Sequence, residues 1–218
     1  MKKLLVVALV AIPAVLPLAA DNQDIPEGPI VNVGGEGRVA IVSAEDKDAA
    51  LLAEVATNMG KILMIDIGVE KGVWSLASAD AAFKAAKAQV AVFVVDDATL
   101  PISLVAPESK WGVVNRKNMN DRQLRKAVTR VALSLLGAAN SRYEASAMYP
   151  AYSLADLDKG EDSVTVDTVM AVFQTLDKLG IKQYRQISYR DACIEGVAPK
   201  PTTELERKIA KSIEASGK

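Results

Sequence analysis

Short apolar runs rich in β-branched residues alternate with segments of helical periodicity in the first half of the chain. The apolar runs are Arg38–Ser43, Lys61–Ile67 and Gln89–Val95, and the helical segments between them are Asp46–Met59 and Ser78–Ala88. Strands that alternate with helices in this way pair in parallel, because each helix carries the chain back across the sheet. The pattern therefore predicts an α/β domain built on a largely parallel, twisted sheet.

Two further strand-like runs follow, Ile102–Val105 and Trp111–Asn115, with only a short connection between them. A parallel pair needs a crossover of about a dozen residues or more, so these two runs cannot be parallel neighbours. We therefore expect a mixed sheet that is mostly parallel and has one antiparallel strand at its edge.

A long helix is predicted to begin at Asn120, where Gln123 completes a capping box. Gly137 is well placed for the left-handed residue that ends this helix. The apolar residues between them recur at helical spacing and mark its buried side: Leu124, Val128, Val131 and Leu135.

The C-terminal part is predicted to be helical. One helix spans Ser163–Leu179 and closes at Gly180, and a last helix runs from Thr202 to about Ala215, with a capping box of Thr203 and Glu206. The apolar stripe of the last helix is thin, so we expect that helix to pack on the surface or on a partner.

The N-terminus has the order of charged, apolar and small residues that is typical of a secretory signal. Lys2 and Lys3 precede the apolar run Leu4–Leu18, and small residues lead to Ala20. We expect residues 1–20 to be a signal peptide that is cleaved near Ala20, and the protein to be periplasmic or extracellular. The alternative is an uncleaved anchor, which would be the chain's only link to a membrane. Residues 21–37, rich in Pro and Gly, are predicted to form a linker.

The charge balance bears on whether the protein binds nucleic acid, and the cysteine content bears on whether disulfides stabilise it. The chain has 26 basic and 27 acidic residues, and loss of Lys2 and Lys3 leaves a net charge of −3, which gives no electrostatic reason to expect nucleic acid. Cys193 is the one cysteine, so the chain cannot form an internal disulfide and its core must hold the fold together.

The chain contains no histidine. This excludes Ser/His and Cys/His catalytic pairs, and a Ser/Lys pair has no recognisable spacing. It also removes the usual nitrogen ligand of catalytic zinc.

The segment Arg130–Ser153 nevertheless resembles the active site of the metzincin zinc metallopeptidases. A long helix that ends at Gly137 is followed by Ser146-Ala147-Met148-Tyr149-Pro150, which is similar to the Met-turn beneath the zinc site of that family, and of matrixins in particular. The order of elements looks closer to archaemetzincins, whose additional cysteines this chain lacks. The resemblance implies a metzincin-like domain over residues 38–218, with a sheet-and-helix subdomain over 38–137 and the Met-turn and C-terminal helices over 138–218.

In that family the pattern HExxHxxGxxH supplies three zinc ligands and a Glu base. Aligned on Gly137, the ligand positions correspond to Arg130, Ser134 and Asn140, and the base to Val131. All four chemical groups are missing. The resemblance therefore implies a peptidase-like fold with no zinc, no other cofactor and no catalytic residue.

The function favoured by these residues is that of an inactive peptidase-like protein which binds a peptide or protein in the retained cleft. Cleft binding is predicted for Arg130, Ser134, Asn140 and Tyr149, with an extended peptide beside the strand Ile102–Val105.

Two alternatives remain open. Asp96 and Asp97, at the end of the third strand, could hold a cation other than zinc in an enzyme of different chemistry. The protein could instead be a structural or assembly protein of the cell envelope, with its C-terminal helix in contact with another chain.

Overall fold

The computed structural model describes residues 27–32, 37–159 and 161–216. The predicted signal peptide, residues 1–20, lies outside this range, as do residues 21–26 and 33–36 of the predicted linker. The described residues form two compact units, one within Ile30–Arg185 and the other made of residues up to Pro29 together with those from Gln186 onward.

Two sheets are present in the described part of the chain. The larger has five strands in the order β3-β2-β4-β6-β5, and the smaller pairs β1 with β7. The strands are β1 (Glu27–Asn32), β2 (Val39–Ser43), β3 (Ile67–Lys71), β4 (Val90–Val95), β5 (Ser103–Ala106), β6 (Trp111–Asn115) and β7 (Tyr184–Ser188).

The five-stranded sheet confirms the predicted mixed architecture. Strand β2 runs parallel to both β3 and β4, and β4 runs parallel to β6. The edge strand β5 runs antiparallel to β6, with Leu104 opposite Val113. The short β5–β6 connection dictates this antiparallel edge, because it is too short for a crossover.

The five predicted helices are present among the described residues, with differences at their ends, and two short helices that were not predicted lie between them. Together these helices are α1 (Ala49–Leu63), α2 (Ala79–Ala85), α3 (Asp121–Leu135), α4 (Leu154–Lys159), α5 (Val166–Leu179), α6 (Tyr189–Glu195) and α7 (Glu204–Ala215). No helix among these residues is long and apolar enough to cross a membrane.

The structure differs from the local predictions at two further places. Helix α1 continues past Gly60 to Leu63 and closes at Met64, whose φ of 55° is left-handed, so the strand begins at Ile67 rather than at Lys61. Leu63, in the last turn of the helix, and Ile65, just beyond its end, are both buried in the core. The predicted linker contains the strand β1, which the turn-rich composition around it concealed.

Alternate residues of the strands face two apolar layers. Helices α1 and α3 cover the side that carries Ile41 and Val92. Helix α2 covers the opposite side, where Phe93 and Trp111 lie. This burial on both sides explains why the central parallel strands β2 and β4 are almost wholly apolar.

Helix α3 begins and ends as its sequence predicts. The amide of Gln123 donates to Asn120 Oδ1 and the amide of Asn120 donates to Gln123 Oε1, both at 2.9 Å. After its end, Gly137 has a φ of +94°, and a side chain there would collide with Thr175 of α5. Glycine is thus required both by the backbone conformation and by the close approach of α5. These contacts set the position of the last turns of α3, where the site begins.

In the C-terminal unit, Thr203 and Glu206 form the predicted capping box of α7. The Tyr189 hydroxyl donates to the carbonyl of Pro199 at 3.0 Å, which ties α6 to the segment that leads into α7.

Candidate functional site

Arg130 of α3 connects the helix to both ends of the loop that follows it. Its Nη2 donates to Asn140 Oδ1 at 2.8 Å, and its Nη1 donates to the Ala151 carbonyl at 3.2 Å. Two residues predicted for the cleft, Arg130 and Asn140, are therefore in direct contact.

The guanidinium of Arg130 is half-buried and has only neutral hydrogen-bond partners. No carboxylate among the described residues lies within ion-pair distance of it, and its Nε is buried without an acceptor among them. Burial lowers the pKa of Arg130, while the nearby Tyr152 phenol acts in the opposite direction. The side chain remains charged, because arginine is effectively never deprotonated in proteins. The result is a positive charge with no counterion in the described part of the chain.

The segment predicted to be a Met-turn, residues 146–150, is held by hydrogen bonds within the loop that follows α3. The amide of Ser141 donates to the Met148 carbonyl at 2.9 Å, and the amide of Met148 donates to Ser146 Oγ at 3.1 Å. Both Ser146 and Met148 are fully buried. Tyr149 follows, half-buried, with its amide donating to the Ser146 carbonyl at 2.9 Å. Met148 therefore acts as a core residue, and Tyr149 continues the turn.

Val131 and Ser134 do not join Arg130 and Asn140. Val131 is 2% exposed and faces the sheet at Gly112 of β6. Ser134 lies one helical turn after Arg130 and is half-buried, and its side chain makes no hydrogen bond with Arg130 or Asn140. One pair of the four aligned positions is thus in contact.

The donor set does not fit zinc. A guanidinium, an amide, a hydroxyl and a valine occupy the four aligned positions, and an arginine there places a permanent positive charge beside any bound cation. In the described part of the chain, no group of three or more His, Cys, Asp or Glu side chains lies close enough to hold a metal ion.

A groove of about 360 Å³ lies beside the Arg130 contact and includes Asn140 in its lining. The rest of the lining comes from the residues after Asn140 and from the start of α5, including Tyr143, Thr165 and Thr168. Tyr143 is 69% exposed, and Tyr152, near the Ala151 end of the loop, is 78% exposed. Sequence reasoning missed Tyr143 and Tyr152, because no local pattern distinguishes an exposed tyrosine from a buried one.

Asp96 and Asp97 have separate partners. Asp97 Oδ1 accepts hydrogen bonds from the amide and the hydroxyl of Thr99, both at 2.7 Å, and these bonds lower the pKa of Asp97. Asp96 Oδ2 lies 3.9 Å from Lys47 Nζ. Asp97 is therefore part of a turn, as adjacent residues after a strand often are. Both residues line a cavity on the opposite side of the sheet from α3.

The fold built by these elements is metzincin-like. No protein-family model and no curated protein sequence matches the chain. Solved structures do match it. Archaemetzincin from Methanopyrus kandleri aligns with a TM-score of 0.56 and 9% identity, over 68% of this chain and 99% of that one.

A zinc-dependent peptidase from Methanocorpusculum labreanum aligns with a TM-score of 0.51 and 12% identity, over 62% of this chain and all of the other. The predicted metzincin-like fold is confirmed by these two similarities, which at such identities concern the fold alone.

Proposed function

We propose that this protein has a metzincin-like fold without zinc peptidase activity, and that it binds the C-terminal carboxylate of a peptide at Arg130. The observation that carries the proposal is the half-buried Arg130 guanidinium, which bonds Asn140 and the Ala151 carbonyl but has no acidic partner among the described residues.

The chemistry of the residues present supports the proposed absence of zinc peptidase activity. With no histidine in the chain, zinc would lack its usual nitrogen ligands. Val131 stands where the family has its Glu base, and a valine cannot take a proton from water. Val131 also packs against the sheet, so this position serves the core.

A carboxylate suits the Arg130 site in both charge and hydrogen bonding. A guanidinium carries five N–H donors in a planar fork, and it commonly binds carboxylates with two parallel hydrogen bonds. The side-chain oxygen of Asn140 accepts from Arg130, so the NH₂ group of Asn140 remains as a further donor beside the guanidinium. Partial burial strengthens the attraction, because the local dielectric is lower than that of water.

The free edge of β5 offers a place for the rest of an extended peptide. Strand β5 is the last strand of its sheet and pairs only with β6 among the described strands. Helix α3, which carries Arg130, packs against both strands. An added strand would bond to the unpaired backbone groups of β5, and the exposed Tyr143 and Tyr152 would supply apolar contacts.

The proposal includes export of the protein to the periplasm or the exterior. Its support is the sequence pattern of residues 1–20. The mass of the protein recovered from the medium or the periplasm tests it, since cleavage near Ala20 removes a defined segment.

Calorimetric titration with random heptapeptides tests the binding site. One library carries free C-terminal carboxylates, and a matched library is amidated. We expect the free acids to bind at least about tenfold more tightly, and Arg130→Ala to remove that difference. Arg130→Lys should retain part of it, because lysine keeps the charge but loses the fork.

Arg125→Ala is the matched control, since it removes a guanidinium from the same helix at a place where it pairs with Glu54. Equal binding of acids and amides, or an equal loss in the Arg125 and Arg130 variants, would overturn the carboxylate site. Peptide hydrolysis by the purified protein that a zinc chelator abolishes would overturn the inactive assignment.

A further inference from the structure

A second cavity lies at the carboxyl ends of the parallel strands, on the side of the sheet away from α3. Three loops build it: residues 44–45 after β2, residues 72–76 after β3 and residues 96–100 after β4. After β2 the chain enters α1 on one side of the sheet, and after β3 it enters α2 on the other side. Such switch points are where open α/β sheets form ligand crevices. The cavity volume, about 330 Å³, is at the lower end of the range for small-molecule sites.

The inner wall of this cavity is apolar and rigidly supported. Trp74 is 9% exposed, and its ring packs against Phe93 and Trp111 with centroid distances of 6.2 and 5.6 Å. Its indole Nε1 is buried and has no acceptor among the described residues. The Nε1 of Trp111 is also buried without an acceptor among them, but Trp111 lines a different cavity. Leu76, which is 67% exposed, extends the apolar surface at the mouth. An apolar or aromatic group fits such a wall.

The rim of the cavity is acidic. Among the described residues that line it, Glu45, Asp96 and Asp97 are acidic and none is basic. Lys47, outside the lining, places its Nζ 3.1 Å from Glu45 Oε2 and 3.9 Å from Asp96 Oδ2. Lys117 acts on Asp97 from further away. The rim therefore already holds one ammonium group between two carboxylates, which shows that their spacing suits such a group.

We propose that this cavity binds a small organic ammonium ion. The ammonium group of the ligand takes the place of the Lys47 ammonium between Glu45 and Asp96, and its apolar body lies on Trp74, where the ring face also attracts the cation. This site is independent of Arg130, because the two lie on opposite sides of the sheet.

Three probes of similar shape separate charge from apolar contact: phenethylammonium, phenethyl alcohol and 3-phenylpropionate. Binding to the full chain is followed by NMR chemical shifts, with the indole N–H signal of Trp74 as a local reporter. We expect the ammonium probe to bind about tenfold more tightly than the alcohol, and the carboxylate probe not to bind.

Variants locate the charge effect. Glu45→Gln with Asp96→Asn should abolish the preference for the ammonium probe, whereas Lys47→Met should tighten its binding by freeing both carboxylates. Asp46→Asn is the control, because Asp46 is exposed, pairs with Lys71 and does not line the cavity.

Three results would overturn the proposal. The first is equal affinity for the three probes, and the second is the absence of saturable ammonium binding. The third is Mg²⁺ binding that Asp96→Asn abolishes while the ammonium probe does not bind, which would make this a metal site.

Discussion

Val131 of α3 lies directly above Gly112 of β6, so closely that a Cβ added to Gly112 would come 2.5 Å from Val131 Cγ1. The same added atom would lie 3.1 Å from the carbonyl oxygen of Leu104 on β5. The absence of a side chain at Gly112 therefore lets α3 approach the last two strands of the sheet. This close approach fixes the face of α3 that meets the sheet, and hence where Arg130 projects.

Replacement of Gly112 by alanine should destabilise the protein by about 1–3 kcal/mol, because the added methyl overpacks the contact with Val131. Urea unfolding followed by circular dichroism measures the loss. Val131→Ala in the same background should recover part of it by making room. A double variant that is less stable than Gly112→Ala alone would show that the contact with Val131 is not the cause.

Zinc binding should appear when histidines replace the three aligned ligand positions. In the variant R130H/S134H/N140H, two histidines lie one turn apart on α3 and the third stands at a position that now contacts Arg130. We expect stoichiometric zinc by elemental analysis after dialysis, and none in the wild type. A variant that stays folded but binds no zinc would mean that residue 140 cannot reach the face of α3 that carries both histidines.

Adding Val131→Glu to that variant should prevent stable folding rather than restore a base. Val131 is 2% exposed and packs on the sheet, so the new carboxylate would be buried without a partner. A thermal midpoint unchanged from that of the triple variant would contradict this packing.

The buried ion pair of Asp48 and Arg116 should be a large contributor to stability. Arg116 Nε donates to both Asp48 carboxylate oxygens at 3.0 Å, and the Asp48 side chain is 4% exposed. Asp48→Asn leaves the guanidinium without its buried counterion, so we expect a loss of about 3–5 kcal/mol in urea unfolding. Asp46→Asn, which breaks an exposed pair with Lys71, should cost less than about 1 kcal/mol. Similar losses in the two variants would contradict the role of burial.

Asp156 should make the start of α4 sensitive to acid. The Ser153 hydroxyl, Lys159 and the Tyr152 amide hold the pKa of Asp156 down at about 2, below its ordinary value of 3.8. Because the folded pKa is the lower one, the carboxylate contributes stability above about pH 4 and loses it as the pH falls towards 2. NMR titration of the carboxyl carbon should show this pKa directly. Asp156→Asn should reduce the pH dependence of unfolding in that window, and an unchanged dependence would exclude Asp156 as its source.

Local sequence signals placed the main elements that surround the candidate site. Asn120 and Gln123 predicted the start of α3, and Gly137 predicted its end, because capping and left-handed turns depend on a few neighbouring residues. The mixed sheet could be predicted as well, since the length of each connection restricts how two strands can pair. The position of β3 could not, because the residues after Gly60 are apolar enough for either a strand or the end of a helix. Tertiary packing decided between them, since Leu63 is buried in the core from the last turn of α1.

The sequence by itself determined that no histidine of this chain can be a zinc ligand, since no fold can supply a residue that the chain lacks. Through its resemblance to metzincins it also predicted that Arg130 and Asn140 stand where that family has zinc ligands. Only the tertiary structure decided that these two side chains meet, that Val131 turns to the sheet, and that three separate loops enclose a cavity beside Trp74. The physical reason is that each of these relations joins residues from different elements. Their distances depend on how helices pack on the sheet, and no local pattern of residues encodes that packing.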